Sequence, residues 1–427
     1  MRTLAVYIEI GGTLRKVGRI EGDGPRDAVF SYDDEYMAEP FAAPVSISLP
    51  LRGESFPPEE TGHFFEGLLP EGFTRRSVAK WMHADERDYL SILAGLGREC
   101  LGAVCILDEG TEFPEPSYEI ISGQEVAALA REGATTSAQI VTKTHLSLTG
   151  ASGKVGLYYD PGSGSWYLPK GTAASTHIVK QSHVRMGGIV ANEQLSLLTA
   201  GRLGLEVPES FIINLGDGRD EEVLFATERY DRVRTDRGAV IDGLPSPLRL
   251  HQEDFAQALG IPSAGKYEEQ GGGYLQKMFA LLRTCSADPI ADQMKLWDGI
   301  VFDYLIGNAD AHLKNVSLLY ASDLKSVRLA PFYDILSTSV YETGTRDMAV
   351  YIGGRCRIDE ISRDDFAAAA EEAGIGRRMA LRRLDRLCDG FEEALKQAAG
   401  LLRDAGFANV TEIGEKILAT GGYRRLL

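Results

Sequence analysis

The apolar periodicity of this chain changes once, near Asp231, and that single change limits the folds open to it. Before Asp231, short runs alternate with period two and are cut by glycine and proline turns; beyond it, apolar residues recur at helical spacing. Strands grouped ahead of helices predict an α+β protein with two segregated lobes, and a length of 427 residues suits two. Gly11-Gly12 separates two strand-like runs and predicts a hairpin. Val45–Leu49 alternates like a half-buried strand, Phe64–Leu69 reads as a short helix stopped before Pro70, and Gly102–Leu107 reads as a buried strand. The acidic, proline-bearing stretch 109–117 reads as a surface loop. Leu146–Tyr159 reads as strand, glycine-bearing loop, strand; further strands are expected at 165–168, 177–180 and 223–231. Helices are expected from Asn192 to about Leu203, and over 254–259, 274–284, 291–306, 363–373 and 378–402.

Composition removes several classes of function. A net charge of −17 argues against a protein that grips nucleic acid through its own overall field. The five cysteines, Cys100, Cys105, Cys285, Cys356 and Cys388, show no CxxC or Cys/His ligand spacing, so reduced thiols are expected. The first ten residues alternate and carry Glu9, unlike a signal peptide, and no apolar run reaches the length of a membrane span. A cytoplasmic protein without membrane contact is expected.

The segment Tyr304–Tyr320 carries the strongest chemical signal. A long amphipathic helix stops at Gly307, a polar loop follows, and then a hydrophobic strand. Asp310 and Asn315 stand five residues apart on that loop. A kinase catalytic loop needs this spacing, with the Asp accepting the attacking hydroxyl's proton and the Asn ligating Mg²⁺. Asp334, after a turn at 321–323 and flanked by apolar residues at a strand end, suits the second Mg²⁺ ligand. A lone loop Asp is ordinarily a cap or turn former; here three such residues in the right order on a helix–loop–strand–turn–strand frame favour chemistry.

Lys180 closes an apolar strand, where the plain reading is a solvated end, but a kinase needs a lysine there against the α- and β-phosphates of ATP. Glu193, opening the next helix, can hold it. Upstream, Thr149-Gly150-Ala151-Ser152-Gly153-Lys154 lies between strands, and its glycines let backbone N–H groups approach phosphate. It is not a Walker A motif, and a hairpin turn explains it equally well. Glu228-Arg229-Tyr230, where the β-rich half gives way to the helical half, is either an adenine-binding crossover or a plain strand end.

Together these segments, with Leu250-His251-Gln252-Glu253-Asp254-Phe255, resemble the HipA family of serine/threonine kinase toxins through most of the chain. The resemblance implies a protein-kinase-like fold: a β-rich N-lobe with an extra N-terminal subdomain (1–120), the rest of that lobe (121–231), and an all-α C-lobe (232–427). It implies Asp310 as catalytic base, Asn315 and Asp334 as Mg²⁺ ligands and Lys180 on the ATP phosphates. It also implies Glu228–Tyr230 as adenine hinge, 149–154 as phosphate loop, and His312, Leu313, Lys314, Asn315 and Tyr333 lining the nucleotide.

Ser147 matches the family's autophosphorylated serine. Phosphate there would add charge beside the phosphate loop and expel it. The family's loop often reads Ala-Gln-Glu-Lys where this chain has Ala151-Ser152-Gly153-Lys154, so Thr149 and Ser152 are further candidate acceptors. The implied partners are a HipB-like helix-turn-helix antitoxin dimer, operator DNA mainly through that dimer, and an aminoacyl-tRNA synthetase as substrate, commonly the glutamate enzyme. Gly376–Arg383 is a basic helical turn, either a solvated face or a local DNA contact. Rival readings are a catalytically silent, nucleotide-sensing co-repressor and a kinase-fold enzyme acting on a small molecule.

Overall fold

The computed structural model of the chain describes residues 1–132, 153–182, 186–235 and 238–427. The chain forms two compact units, each built from separate segments. The first comprises Met1–Gln181, Ala226–Ser263 and Leu319–Ser326; the second comprises Ser182–Phe225, Ala264–Leu318 and Val327–Leu427.

In the first unit, β1 (Arg2–Ile10) and β2 (Thr13–Gly22) form the expected hairpin, with Gly11 and Gly12 both at positive φ. β3 (Val29–Tyr32) and β4 (Val104–Asp108) complete an antiparallel sheet of order β3-β2-β1-β4. Its interior face packs Leu4, Val6, Ile8, Ile20 and Phe30. Phe30 meets Phe56 and Phe65, with ring centroids 5.9 and 5.1 Å away. Phe65 ends the helix Pro58–Phe65, which continues as a 3₁₀ turn over Glu66–Leu68 and stops before Pro70 as expected.

Val45–Leu49 is not a strand: it is a turn closed by a bridge between Ser46 and Leu49. The cause lies far away in sequence. The buried carboxylate of Glu253 accepts from Ser46 Oγ (2.5 Å) and Ile47 N (3.0 Å), folding the segment around itself while Val45 and Leu49 enter the core.

In the same unit β5 (Ser117–Ile120), β6 (Lys154–Asp160), β7 (Ser165–Lys170) and β8 (His177–Gln181) lie in the order β5-β7-β6-β8. The next strand, Val223–Glu228, ends three residues earlier than its sequence predicts. Beyond it a buried ionic knot takes over. Glu99 bonds Arg229 (3.3 Å), Arg232 (3.1 Å) and the Ser175 amide (2.9 Å); Asp231 bonds Arg229 (2.8 Å), Arg232 (3.1 Å) and the Gly102 amide (2.7 Å).

The second unit is mainly helical. Its helices include Ile189–Arg202, Tyr274–Cys285, Pro289–Ile306, Arg363–Glu372 and Arg377–Asp404. The longest buries a stripe at Ala380, Leu384, Leu387, Phe391, Leu395, Ala398 and Leu402. Trp297, fully buried on Pro289–Ile306, donates its indole N–H to Ala380 O at 3.0 Å. The helical half is not purely helical, because Asp347–Ile352 and Arg355–Arg357 pair as a small antiparallel ribbon.

Candidate active site

The helix Pro289–Ile306 delivers the candidate loop. Gly307 ends it at φ 73°, and a Cβ there would lie 2.1 Å from Ser339 Oγ, so only glycine fits. Its carbonyl accepts from the amides of Thr338 (3.1 Å) and Ser339 (3.0 Å), and Thr338 Oγ1 accepts from Ala309 N at 2.8 Å. Asp310 follows, its amide donating to Asn308 Oδ1 at 3.2 Å. Asn315 Nδ2 donates to Asp310 O at 2.8 Å, so its carboxamide oxygen is not the atom engaged in this bond. Asp310 and Asn315 therefore share one tight loop, stiffened by a 3₁₀ turn at Leu313–Asn315.

Asp334 does not sit at a strand end. The strand covers only Val327–Leu329, and Asp334 lies in the irregular stretch that follows, in the left-handed region at φ 57°. A non-glycine residue held there costs about 1–3 kcal/mol, the kind of strain found at functional loops. Its neighbour Tyr333 fastens this stretch to the Asp310 loop, its hydroxyl bonding Lys314 O (2.9 Å) and Ser317 Oγ (2.6 Å). Three residues past Asp334, Ser337 is held through both its amide and carbonyl by the fully buried side chain of Asn192, at 3.1 and 2.8 Å. Asp310, Asn315 and Asp334 thus stand on two loops of one unit, bridged at Gly307–Ser339 and at Lys314–Tyr333.

The sequence marks Gly307 as a helix end and Lys314 and Tyr333 as nucleotide-lining, but marks none of these residues as a strut between the two loops. Asn192 passed as a helix opener, although Ile189–Arg202 begins three residues before it. Asp303 also went unnoticed. It accepts from Asn308 Nδ2 at 2.8 Å beneath the loop, and burial raises its carboxyl to about 7 against the lowering effect of that hydrogen bond. The available signal was an acidic residue between Phe302 and Tyr304 on an otherwise apolar helix.

The remaining expected residues fall in several places. His312 and Lys314 are buried beside Asp310, and Leu313 is wholly in the core, so only its backbone can face a nucleotide. In the first unit Lys180 is buried on β8, directly opposite Lys154 of β6. Cross-strand partners project from the same face of a sheet. Glu193 is buried on its helix in the second unit. Arg229 is consumed by the fold: its guanidinium joins the ionic knot, its amide donates to Thr176 O (2.9 Å) and its carbonyl accepts from Arg232 N (3.1 Å). Tyr230 bonds Gln252 through its hydroxyl. Gly153 is described, whereas Ser147, Thr149, Gly150, Ala151 and Ser152 lie outside the described residues. In the basic turn, Arg377 pairs with Glu371 (3.5 Å), while Arg383 and, one turn on, Arg386 both pair with Asp298 (2.6 and 2.7 Å). Two of the four arginines of the turn, Arg377 and Arg383, are thus paired within the chain. Among the described residues no helix is long and apolar enough to cross a membrane.

The HipA N-terminal domain matches residues 8–107, and the HipA-like C-terminal domain matches residues 146–395. A putative kinase, Y4mE of Sinorhizobium fredii, is 35% identical over 392 residues, covering 89% of each chain. The serine/threonine-protein kinase toxin HipA of Shewanella oneidensis is 25% identical, over 94% of this chain and 90% of that one. Among solved structures, the Shewanella HipA complex with HipB and operator DNA superposes with a TM-score of 0.79 at 22% identity, covering 99% of this chain and 97% of that chain. The α+β, protein-kinase-like fold expected from the sequence is therefore the fold observed. The chain belongs to the HipA family of serine/threonine-protein kinase toxins.

Proposed function

We propose that this protein is the toxin of a HipA/HipB-type pair, transferring phosphate from ATP·Mg²⁺ to serine. The observation that carries the reading is the double bridge that holds the Asp310–Asn315 loop against the Asp334 loop. A carboxamide oxygen and a carboxylate are the hard donors Mg²⁺ takes, alongside phosphate oxygens and water. Asn315 and Asp334 would hold the ion, which when bound neutralises charge developing on the transferred phosphoryl group. Asp310 takes the proton of the attacking serine hydroxyl. Lys180, opposite Lys154 in the β6–β8 register, is the lysine assigned to the ATP phosphates. Glu193 is the acid assigned to Lys180, and backbone groups of 149–154 complete the phosphate loop. With Arg229 taken up by the fold, adenine recognition falls to Glu228 and Tyr230, while His312, Lys314 and the backbone of Leu313 line the nucleotide. The partition 1–120, 121–231 and 232–427 is kept as the functional division.

The substrates follow the same reading. Ser147, with Thr149 and Ser152 as alternatives, takes phosphate in cis and switches the enzyme off by displacing the phosphate loop. In trans the target is an aminoacyl-tRNA synthetase, the glutamate enzyme first, so that charging and translation stop. A helix-turn-helix antitoxin dimer carries the DNA contact and the toxin acts as co-repressor, as the operator complex of the Shewanella relative and the acidic charge of this chain both favour.

Asp310→Gln tests the reading. Phosphate transfer from labelled ATP and toxicity on expression should both vanish, while binding to the antitoxin persists. Toxicity that survives the change points to the silent co-repressor. Label found on a small molecule rather than on protein points to the other rival.

A further inference from the structure

We propose that Tyr267 belongs to the acceptor site: its phenol oxygen holds, on Asp310, the place that the substrate's serine hydroxyl takes for phosphoryl transfer. The inference rests on the reading of Asp310 as the base. Tyr267 Oη donates to Asp310 Oδ1 at 2.5 Å. A general base must receive the O–H of its substrate within hydrogen-bond reach of its carboxylate. One such oxygen of Asp310 already receives an O–H, from a residue of its own chain.

The surroundings make this a place that can be vacated. The main chain on both sides of Tyr267 is pinned. Lys266 O accepts from Leu313 N at 3.3 Å, inside the Asp310 loop itself. Glu268 N donates to Ala349 O at 2.8 Å, and the Glu268 carboxylate accepts from the amides of Tyr351 (2.7 Å) and Tyr274 (3.0 Å). Backbone movement is therefore costly, and the side chain moves by rotating about its own bonds. The residue is 45% exposed, so the ring has solvent to turn into; the edge-on His312 ring lies 5.1 Å away and Lys266 Nζ 5.4 Å from its centroid.

A serine hydroxyl that reaches Oδ1 replaces the phenol one hydrogen bond for another, and the displaced ring is left beside the incoming peptide. Water, held by fewer contacts, competes poorly with a tethered phenol. Tyr267 therefore raises the threshold for any acceptor and suppresses transfer of phosphate to water.

The alternative is that Tyr267 only orients Asp310, and the two roles predict opposite results. Phosphate release from ATP·Mg²⁺ without a protein acceptor is measured for the parent, Tyr267→Phe and Tyr267→Leu, together with the KM of a synthetic peptide copying residues 141–153. Loss of the hydroxyl should raise hydrolysis several-fold and lower the peptide KM several-fold in both variants. Equal rates, or a fall in hydrolysis with an unchanged KM, would overturn the assignment. The double variant Asp310→Asn/Tyr267→Phe separates the two readings. Hydrolysis that stays raised in it means Asp310 is not the base, whereas a failure confined to Tyr267→Phe and Tyr267→Leu leaves the base in place.

Discussion

The ionic knot around Glu99 in the first unit and the polar loops around Asp310 in the second gather similar side chains for opposite ends. In the knot, Glu99, Asp231, Arg229 and Arg232 are buried, and each carboxylate is met by guanidinium groups and a backbone amide. Burial works against ionisation there, yet Arg229 and Arg232 hold both acids below the usual carboxylate range. In the second region, Asp310, Asn315 and Asp334 are only partly buried, on loops braced through the main chain, and the Asp310 carboxylate is met by the Tyr267 phenol rather than by a guanidinium group. Polar groups that answer one another inside the protein build a fold. Half-buried polar groups on loops braced through the main chain can be reached from solvent.

Three changes test that contrast. Asp231→Ala leaves two buried guanidinium groups short of a partner, and breaking a buried pair costs roughly 3–5 kcal/mol. Denaturant unfolding should show a loss of that size, and any lost transfer should track the unfolded fraction. A fully stable Asp231→Ala protein would mean the knot is not the brace described here.

Glu253 is next in size. Burial raises its carboxyl from 4.5 to about 7, outweighing the Ser46, Tyr320 and Ile47 donors that favour the charged form. Below about pH 4.5 the group is protonated in both folded and unfolded chains, and its contribution to stability is complete. Between there and about 7 the unfolded chain releases the proton first, so stability falls as pH rises, then levels off. The span is on the order of 3 kcal/mol. Glu253→Gln should flatten that part of the stability profile, read from unfolding midpoints on either side of the window; a slope identical to the parent's rules the account out. Asp303, also raised to about 7, keeps its own share of the slope.

The smallest effect is expected at Asn192. Asn192→Ala strands the buried amide and carbonyl of Ser337, a cost of about 1–3 kcal/mol. Here transfer should fall by more than stability explains, because the stretch carrying Asp334 loses its anchor. A purely proportional loss would place Asn192 with the knot rather than with the site.

How much was legible follows from distance along the chain. Asp310 and Asn315 were readable because a loop between a helix and a strand fixes their spacing locally. The helix boundaries were readable to within a few residues, since apolar stripes and a Gly307 cap are local signals. The start of Pro289–Ile306 was set two residues late because Asp288, which caps it through Ala291 N at 3.1 Å, was not recognised as the cap. Val45–Leu49 misled because its alternation records burial in a turn shaped by Glu253, more than 200 positions away. The chain also crosses between its two units several times, which no reading by consecutive blocks expresses.

By itself the sequence determined the order of strands and helices, the candidate polar residues of the site, and the family, because each is written in local spacing and residue type. Only the tertiary structure decided which polar groups are spent on folding, as with Arg229, and which residues hold the site. Tyr267 reaches Asp310 across 43 positions and Asn192 reaches Ser337 across 145. Hydrogen bonds act over about 3 Å and carry no sequence period, so such partners become visible only when packing brings them together.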